Sequence, residues 1–454
     1  SGIALLQNGK FKVIKKVGEI ENLKKFINGK TFSGSVGIGH TRWATHGGVN
    51  EKNAHPHTDC FGDVVVVHNG IIENYEKLKK DLRKKGHKFN SDTDTEVFAH
   101  LVEEEVKKGK KFPDAVRASF NKISGLSAIV AVSKEGGMVA FKKGSPLVAG
   151  IGKAGFYVSS DIPSLGSETD NIILMDEGEG LLLTKQGLKL ISSKTGKEKK
   201  MKPVKISMEN IEVDKGNFPH YLLKEIYEQP EVVARIANNG KSEIEEISTM
   251  IKNAWGTYFT ACGTASYSGI AATYMFSEIA KRHVNFTVGS EFPYFENFLV
   301  SDSLLIAASQ SGETMDTLEA VRAAKRHKSK VLALVNVPGS SLSRLADKSF
   351  LLKAGPERAV VSTKAYIAKL STFLLLAYTL AKKHEEGVKV LKNTSRKMSE
   401  MFKSGVEKEV KLLAKKLVDR EHVYIIGRGV NYATALEGAL KVKGQWTKLI
   451  EDEL

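Results

Sequence analysis

From about residue 256 the chain repeats one pattern: a short apolar run, a turn of small residues, then a stretch with helical spacing. Apolar runs at 258–261, 304–308, 331–337 and 350–353 alternate with helical stretches at 266–280, 313–328 and 365–382. Each helical stretch carries the chain back to the level where the next strand begins. Such βαβ crossovers build a parallel sheet with helices on both faces. The first two hundred residues show no such alternation. Runs at 64–67, 126–132 and 138–141 are bounded by glycines, and Lys134-Glu135-Gly136-Gly137 reads as a hairpin turn. Two helical stretches interrupt these strands, one carrying Ile72, Tyr75, Leu78 and Leu82, the other Phe98, Leu101, Val102 and Val106. Thr93-Asp94-Thr95-Glu96 has the form of a capping box at the start of the second. Strands with a pair of helices predict an α+β layered domain.

Polar helical stretches at 215–239 and 387–416 read as linkers. A weak echo links Tyr258-Phe259-Thr260-Ala261-Cys262-Gly263-Thr264 with Val423-Tyr424-Ile425-Ile426-Gly427-Arg428-Gly429, so a strand is expected at 423–426. The predicted organisation is an α+β domain at 1–208, a linker at 209–240, an α/β domain at 241–385, linker helices at 386–416, and the start of a second α/β domain at 417–454.

Composition narrows the function classes. The 454 residues are 41% hydrophobic and 26% charged, the profile of a soluble globular chain. The formal net charge is +16, with lysine runs at Arg83-Lys84-Lys85, Lys107-Lys108, Lys110-Lys111 and Lys199-Lys200. These sit at expected helix ends and turns, so they read as solvated surface and not as a nucleic-acid site. Only Cys60 and Cys262 are present. That excludes a disulfide scaffold and a Cys-rich zinc site and suits a reducing cytoplasm. The apolar stretch 365–381 contains Lys369 and is too short for a membrane span. No signal peptide is read at the start, and no membrane is expected as a partner.

Two constellations carry chemistry. The first comprises Arg42, Trp43 and His46 within one short run, then Asn69-Gly70 at a strand end, then Asp94 before a helix. An arginine can grip a carboxylate bidentately, and an aspartate can hold an ammonium. An asparagine amide with the next backbone N–H can form an oxyanion hole. Together they describe an amidohydrolase acting on an amino acid. Five histidines nearby (His40, His46, His55, His57, His68) invite a metal, but no metal-ligand spacing supports one, so none is expected. The second constellation is Ser309-Gln310-Ser311-Gly312-Glu313-Thr314, running from strand to helix. Cys262-Gly263-Thr264-Ala265-Ser266 and Val361-Ser362-Thr363-Lys364 repeat the logic, the last adding a cation. Hydroxyls and free N–H groups at helix starts bind phosphate, at the carboxyl ends of parallel strands.

These motifs resemble those of the isomerising glutamine:fructose-6-phosphate amidotransferases. The run 40–47, His68-Asn69-Gly70 and 93–96 are similar to the family's class II glutaminase domain. The run 309–314, Ala354-Gly355-Pro356-Glu357 and Ser362-Thr363-Lys364 are similar to its sugar-isomerase (SIS) domain, and 224–230 to the segment between. The resemblance implies an N-terminal-nucleophile sandwich followed by a flavodoxin-like parallel sheet. It also implies amination and isomerisation of fructose 6-phosphate to glucosamine 6-phosphate with glutamine as nitrogen donor, no cofactor, and a cytoplasmic homodimer.

By resemblance, Arg42, His46 and Asp94 hold glutamine, Asn69 and Gly70 stabilise the oxyanion, and Trp43 gates the ammonia path. Thr264, Ser309, Gln310, Ser311 and Thr314 hold the sugar phosphate, with Val360 and Ser362 nearby. Ala265 stands where the family commonly has serine. The family's N-terminal cysteine has no counterpart here, and Gly444 stands where its catalytic glutamate is expected. This predicts an inactive fragment, truncated at both ends. The competing reading is a non-catalytic sugar-phosphate-binding SIS module.

Overall fold

The structure is a computed structural model. It describes all residues except 19, 43–45, 167, 185–186, 207–214, 360 and 454, and leaves aside the side chains of 444–454. The chain forms two compact units, Ser1–Asn210 and Ile211–Leu454.

Unit one opens with β1 (Gly2–Gln7), β2 (Lys10–Lys15), α1 (Ile20–Ile27) and β3 (Gly37–His40). Strands β2, β1 and β3 form a small antiparallel sheet in that order. Next come β4 (His57–Thr58), β5 (Val64–Gly70), α2 (Tyr75–Lys84), α3 (Glu96–Lys107) and α4 (Phe112–Phe120). Apart from a short 3-10 turn at Pro163–Leu165, the rest is strands: β6 (Ser127–Ser133), β7 (Met138–Lys143), β8 (Val148–Ile151), β9 (Phe156–Ser159), β10 (Asn171–Leu174), β11 (Glu179–Thr184), β12 (Gly187–Ser192), β13 (Glu198–Lys199) and β14 (Val204–Lys205). A seven-stranded sheet runs β13-β12-β11-β7-β6-β5-β4, and a four-stranded sheet runs β14-β10-β8-β9.

The large sheet is buried on both faces, and strand alternation sorts its side chains. Val64, Val66, Ile129, Ala131, Val139 and Phe141 pack against the helices with Phe98, Val102 and Phe120. Val67, Ala128, Val130 and Ala140 face the four-stranded sheet and its Ala149 and Ile173. The layers are therefore helix, sheet, sheet, the α+β sandwich expected. The same alternation sends His68 to the helix side and Asn69 to the other.

Unit two begins with α5 (Tyr221–Tyr227), α6 (Gln229–Ala237) and α7 (Lys241–Asn253). Then β15 (Gly256–Ala261), α8 (Thr264–Glu278), β16 (Asn285–Val288), β17 (Ser303–Ser309), α9 (Met315–Arg326), β18 (Lys330–Val335), α10 (Ser341–Leu345), β19 (Lys348–Leu351) and α11 (Lys364–Leu380) follow. The sheet order β16-β15-β17-β18-β19 with all pairs parallel is the flavodoxin-like 2-1-3-4-5 arrangement. Its inner strands β15, β17 and β18 bury nearly every side chain, as strands covered on both faces must.

Three segments differ from the expectations. The stretch read as a first linker contains α6, whose Val232, Val233 and Ile236 are buried in the core. The stretch read as linker helices contains α12 (His384–Lys403) and α13 (Val406–Leu417), and α12 sends Leu391, 2% exposed, into the same core. Its apolar stripe falls on one face of an otherwise charged helix, which is why the composition reads as a linker. The strand expected at 423–426 is irregular, with Tyr424 87% and Ile426 92% exposed. Among the described residues no strand pairs with it, so it has no ladder to join. The chain then enters α14 (Val430–Glu453), which packs on α8. Among the described residues no helix is long and apolar enough to cross a membrane.

Candidate functional site

In unit one, Asn69 and Gly70 end β5, the strand next to the edge strand β4. Asn69 Oδ1 lies 2.7 Å from His40 Nε2, and His40 Nδ1 lies 2.9 Å from His55 Nδ1. Burial pushes the His40 pKa down, and burial followed by His40 itself pushes His55 well below the usual imidazole range. Both rings are therefore neutral, with one N–H each. A neutral ring gives His40 one donor for Asn69 Oδ1 and leaves its Nδ1 to accept from His55. The Asn69 amide is thereby oriented, and its NH2 group remains as the donor an oxyanion needs. Gly70 has φ +131, and a Cβ there would stand 1.9 Å from the Leu126 carbonyl oxygen. Only glycine fits where the backbone turns off this strand.

Asp94 is 3% exposed and accepts a hydrogen bond from the Ile72 N–H at 2.7 Å, so it sits beside the Asn69–Gly70 turn. The charge of Asp94 reaches the Arg42 guanidinium. Arg42 Nη1 donates to the Gly48 carbonyl at 3.2 Å, and Nη2 donates to those of Gly47, at 3.0 Å, and His46. These carbonyls hold the guanidinium in one pose. The His46 ring lies edge-on to Tyr75, 5.1 Å between centroids, and its Nδ1 is buried without a partner. Arg42, His46, Asn69, Gly70 and Asp94 thus belong to one unit; Arg42 is tied to the His46 carbonyl and to the charge of Asp94, and Asp94 to the Ile72 N–H just after the Asn69–Gly70 turn. Trp43 lies outside the described residues.

The capping box does not form. Glu96 instead accepts from the N–H groups of Asn90 and Ser91, both at 2.7 Å, and from Ser91 Oγ at 2.6 Å. Thr93 Oγ1 bonds His57 Nε2 at 3.0 Å. These bonds fix the loop ahead of α3 that carries Asp94. His68 is held between Thr95 Oγ1 at 3.0 Å and Ser127 Oγ at 3.1 Å. The histidines singled out in the sequence thus serve hydrogen bonds and ring contacts. A different set is drawn together nearby: Cys60, His87, His100 and Glu103.

In unit two, Thr264, Ser309, Gln310, Ser311, Thr314 and Ser362 line one pocket of about 160 Å³. It lies at the carboxyl ends of β15 and β17, where the strand order reverses, the position at which such sheets bind ligands. Ser309 Oγ accepts from the Gly312 N–H at 3.0 Å and lies 2.9 Å from Thr314 Oγ1. Ser311 Oγ accepts from the Glu313 N–H at 3.2 Å, a turn within the loop and not a cap of α9. Gly312 has φ +71, with Ser340 Oγ 2.1 Å from where a Cβ would stand. The loop's shape is therefore held by its own bonds. Val360 lies outside the described residues.

The third loop differs from its expected form. Glu357 accepts from the N–H groups of Thr363 at 2.8 Å and Ala365 at 3.1 Å, and from Ser362 Oγ at 3.1 Å. The start of α11 is thus capped by a carboxylate. Lys364, read as the phosphate cation, is paired with Glu228 of α5's C-cap instead. Two other lysines lie beside these loops. Lys369, 1% exposed, lines the pocket, and burial lowers its pKa to about 8. Lys441 of α14 donates to Thr264 Oγ1 at 2.6 Å and pairs with Glu437. The one sequence signal for Lys369 was a charge inside an apolar helix. A larger surface depression of about 600 Å³ follows α2 from Tyr75 to Lys84 and holds none of the motif residues.

Comparison with known proteins agrees with this division. Residues 40–167 match the family described as "Glutamine amidotransferase domain", and residues 250–379 match "SIS domain". The chain is 39% identical over 450 residues to a Pyrococcus horikoshii protein named glutamine--fructose-6-phosphate aminotransferase [isomerizing], covering 98% of this chain and 75% of that one. It is 40% identical over 442 residues to a protein of the same name from Thermococcus kodakarensis, covering 95% and 73%. A solved C-terminal domain of glucosamine-fructose-6-phosphate aminotransferase from Francisella tularensis is 34% identical, covers 51% of this chain and 68% of that one, and has a TM-score of 0.47.

Proposed function

We propose, for a chain that belongs to the isomerising glutamine--fructose-6-phosphate aminotransferases, that the two constellations are its glutamine and sugar-phosphate sites. The family reaction transfers the amide nitrogen of glutamine to fructose 6-phosphate and isomerises the product to glucosamine 6-phosphate, releasing glutamate. In unit one, Arg42 binds the glutamine carboxylate, Asp94 its ammonium, and His46 flanks them. Asn69 Nδ2 and the Gly70 N–H receive the oxyanion that forms when the amide carbon is attacked. The histidine relay His55–His40 supports this role, because it leaves Asn69 with its donor outward. Trp43 as the gate of the ammonia path rests on resemblance.

In unit two, Thr264, Ser309, Gln310, Ser311 and Thr314 hold the phosphate, with Ser362 at the rim and Val360 assigned by resemblance. The reading adds Lys369 and Lys441 as the cations that balance the phosphate charge. It takes residues 241–385 as the first SIS domain, with α6 and α12 completing its core. The observation that carries the proposal is the convergence of three separate loops on one pocket at the switch point of the sheet.

Calorimetric titration of the chain with glucosamine 6-phosphate and with glucosamine tests it. Only the phosphorylated sugar should bind. Losing a hydrogen bond to a charged group costs about 1.5–3 kcal/mol, so Ser309→Ala with Thr314→Val should weaken binding at least about tenfold. Equal affinity for both sugars, or none lost in the double variant, would remove the phosphate role. Arg42→Ala and Asp94→Asn should each weaken glutamine binding and leave sugar-phosphate affinity as it was.

A further inference from the structure

Cys60 follows β4, His87 lies in the loop after α2, and His100 and Glu103 lie one turn apart on α3. Their ligand atoms meet. Cys60 Sγ is 3.6 Å from His87 Nδ1 and 3.6 Å from His100 Nδ1. The two Nδ1 atoms are 3.2 Å apart, and Glu103 Oε2 is 3.1 Å from one and 3.2 Å from the other.

These five separations are those of a tetrahedron, and all four ligand atoms lie within 4.8 Å of one another. With zinc–nitrogen bonds of about 2.0–2.1 Å and a zinc–sulfur bond of about 2.3 Å, tetrahedral angles require about 3.3 Å between two nitrogens and about 3.5 Å between nitrogen and sulfur. Hydrogen bonding alone explains the cluster poorly. Two imidazole nitrogens and one carboxylate oxygen form a closed triangle, and protons serve two of its edges at best. If both Nδ1 atoms carried protons, two donors would face each other across 3.2 Å. A cation at the centre accepts a lone pair from every member. We infer that Cys60, His87, His100 and Glu103 bind one zinc ion in a closed, structural tetrahedral site.

The surroundings fit a metal centre. A thiolate, a carboxylate and two neutral imidazoles carry two negative charges, which zinc neutralises. His87 Nε2 lies 2.9 Å from Glu104 Oε1, and His100 Nε2 faces Glu96 Oε1 at 3.7 Å. Carboxylates behind ligating histidines fix the ring and raise its basicity. Glu103 is steadied in turn by Lys107 at 2.6 Å and by the Cys60 N–H at 3.1 Å. The three histidine and carboxylate side chains are at most 4% exposed, while Cys60 is open to solvent. The ion would therefore be tightly walled yet reachable by a chelator. Four protein ligands leave no open position, which assigns it to holding α3 against the β4–β5 turn.

Purified, tag-free chain should carry about one zinc per molecule, falling below about a tenth in Cys60→Ser and in His87→Gln. Cobalt reconstitution should give the ligand-field bands of a tetrahedral site together with a thiolate-to-cobalt charge-transfer band. Cys60→Ser should abolish that band, which separates loss of a ligand from loss of the fold. Chelator should lower the melting temperature of the parent but not of Cys60→Ser, and should speed alkylation of Cys60 while leaving Cys262 unaffected. Glu104→Gln, which touches no metal, should weaken zinc binding about 10–100-fold. Absence of zinc with no cobalt spectrum would overturn the site. So would stoichiometric zinc that persists in both ligand variants.

Discussion

Acidification from pH 7.5 to 5 should weaken unit one much more than unit two, because unit one buries imidazoles that fold neutral. His57 is 3% exposed, and burial, then Lys15, lowers its pKa to about 3. His68 is also 3% exposed, and burial, against a smaller opposing pull from Asp94, lowers it to about 4. An unfolded imidazole titrates near 6.5. Between that value and the folded one the unfolded state binds the extra proton, so stability is full above about pH 6.5 and drains as pH falls. Integrating the linkage from pH 7.5 to 5 gives about 2 kcal/mol for each residue, so about 4 kcal/mol for the pair taken independently. A domain is stable by only about 5–15 kcal/mol, so the loss is large. Among the described residues unit two buries a single histidine, His384 at the start of α12, against His55, His57, His68, His87 and His100 in unit one. Hydrogen exchange over 64–107 and over 304–335, followed through a urea series at each pH, separates the units. The Cys60→Ser background removes any contribution from a bound cation. His68→Gln should recover about half of the loss, since an amide can still serve Thr95 and Ser127. Equal protection of both units at pH 5 and 7.5 would refute the assignment of neutral buried rings.

Three further substitutions test the packing. Gly70→Ala drives a methyl into the Leu126 carbonyl at a positive φ and should cost more than about 2 kcal/mol by urea denaturation; a change within about 0.5 kcal/mol would contradict the geometry. Lys369 has a folded pKa of about 8, below its unfolded value, so its burial penalty is full below that pH and fades as pH rises towards about 10.5. Lys369→Met should therefore stabilise the free chain at pH 7 by on the order of 3 kcal/mol while weakening sugar-phosphate binding; loss of stability would show that the charge is better compensated than its burial implies. Leu391→Ala should cost about 2–5 kcal/mol if α12 belongs to the core, against less than about 0.5 kcal/mol for an exposed position, read from the thermal midpoint.

The parallel sheet was legible because its strands are continuous apolar runs closed by small residues. The exception is β16, whose Asn285 and Val288 are exposed at the sheet edge, so no apolar run marks it. The hydroxyl loops that line the pocket were legible for the same reason: hydroxyls and glycines follow strands directly. Their cation was not. Lys364 stands next to the motif, but five residues along a helix turn the direction by about 140°, which points Lys364 at Glu228 and Lys369 into the pocket. In unit one, Arg42, Asn69, Gly70 and Asp94 stood out by residue type. His40 and His55 stood out only as histidines that invite a metal, and their separation of 15 residues gave no sign of their relay. The Cys60 cluster did not stand out, because its members come from separate segments with gaps of 27 and 13 residues that match no local motif.

The bond from Lys441 to Thr264 spans 177 residues of sequence. On a ribosome adding roughly 5–20 residues per second, Lys441 is joined about 10 to 35 seconds after Thr264. During that interval the sheet, the hydroxyl loops and Lys369 can already have folded, while one of the two cations is still unmade. On the sugar-phosphate reading proposed above, a ligand met by the nascent chain would find only one of the two lysines. On that reading, occupancy of the pocket waits until synthesis has passed Lys441.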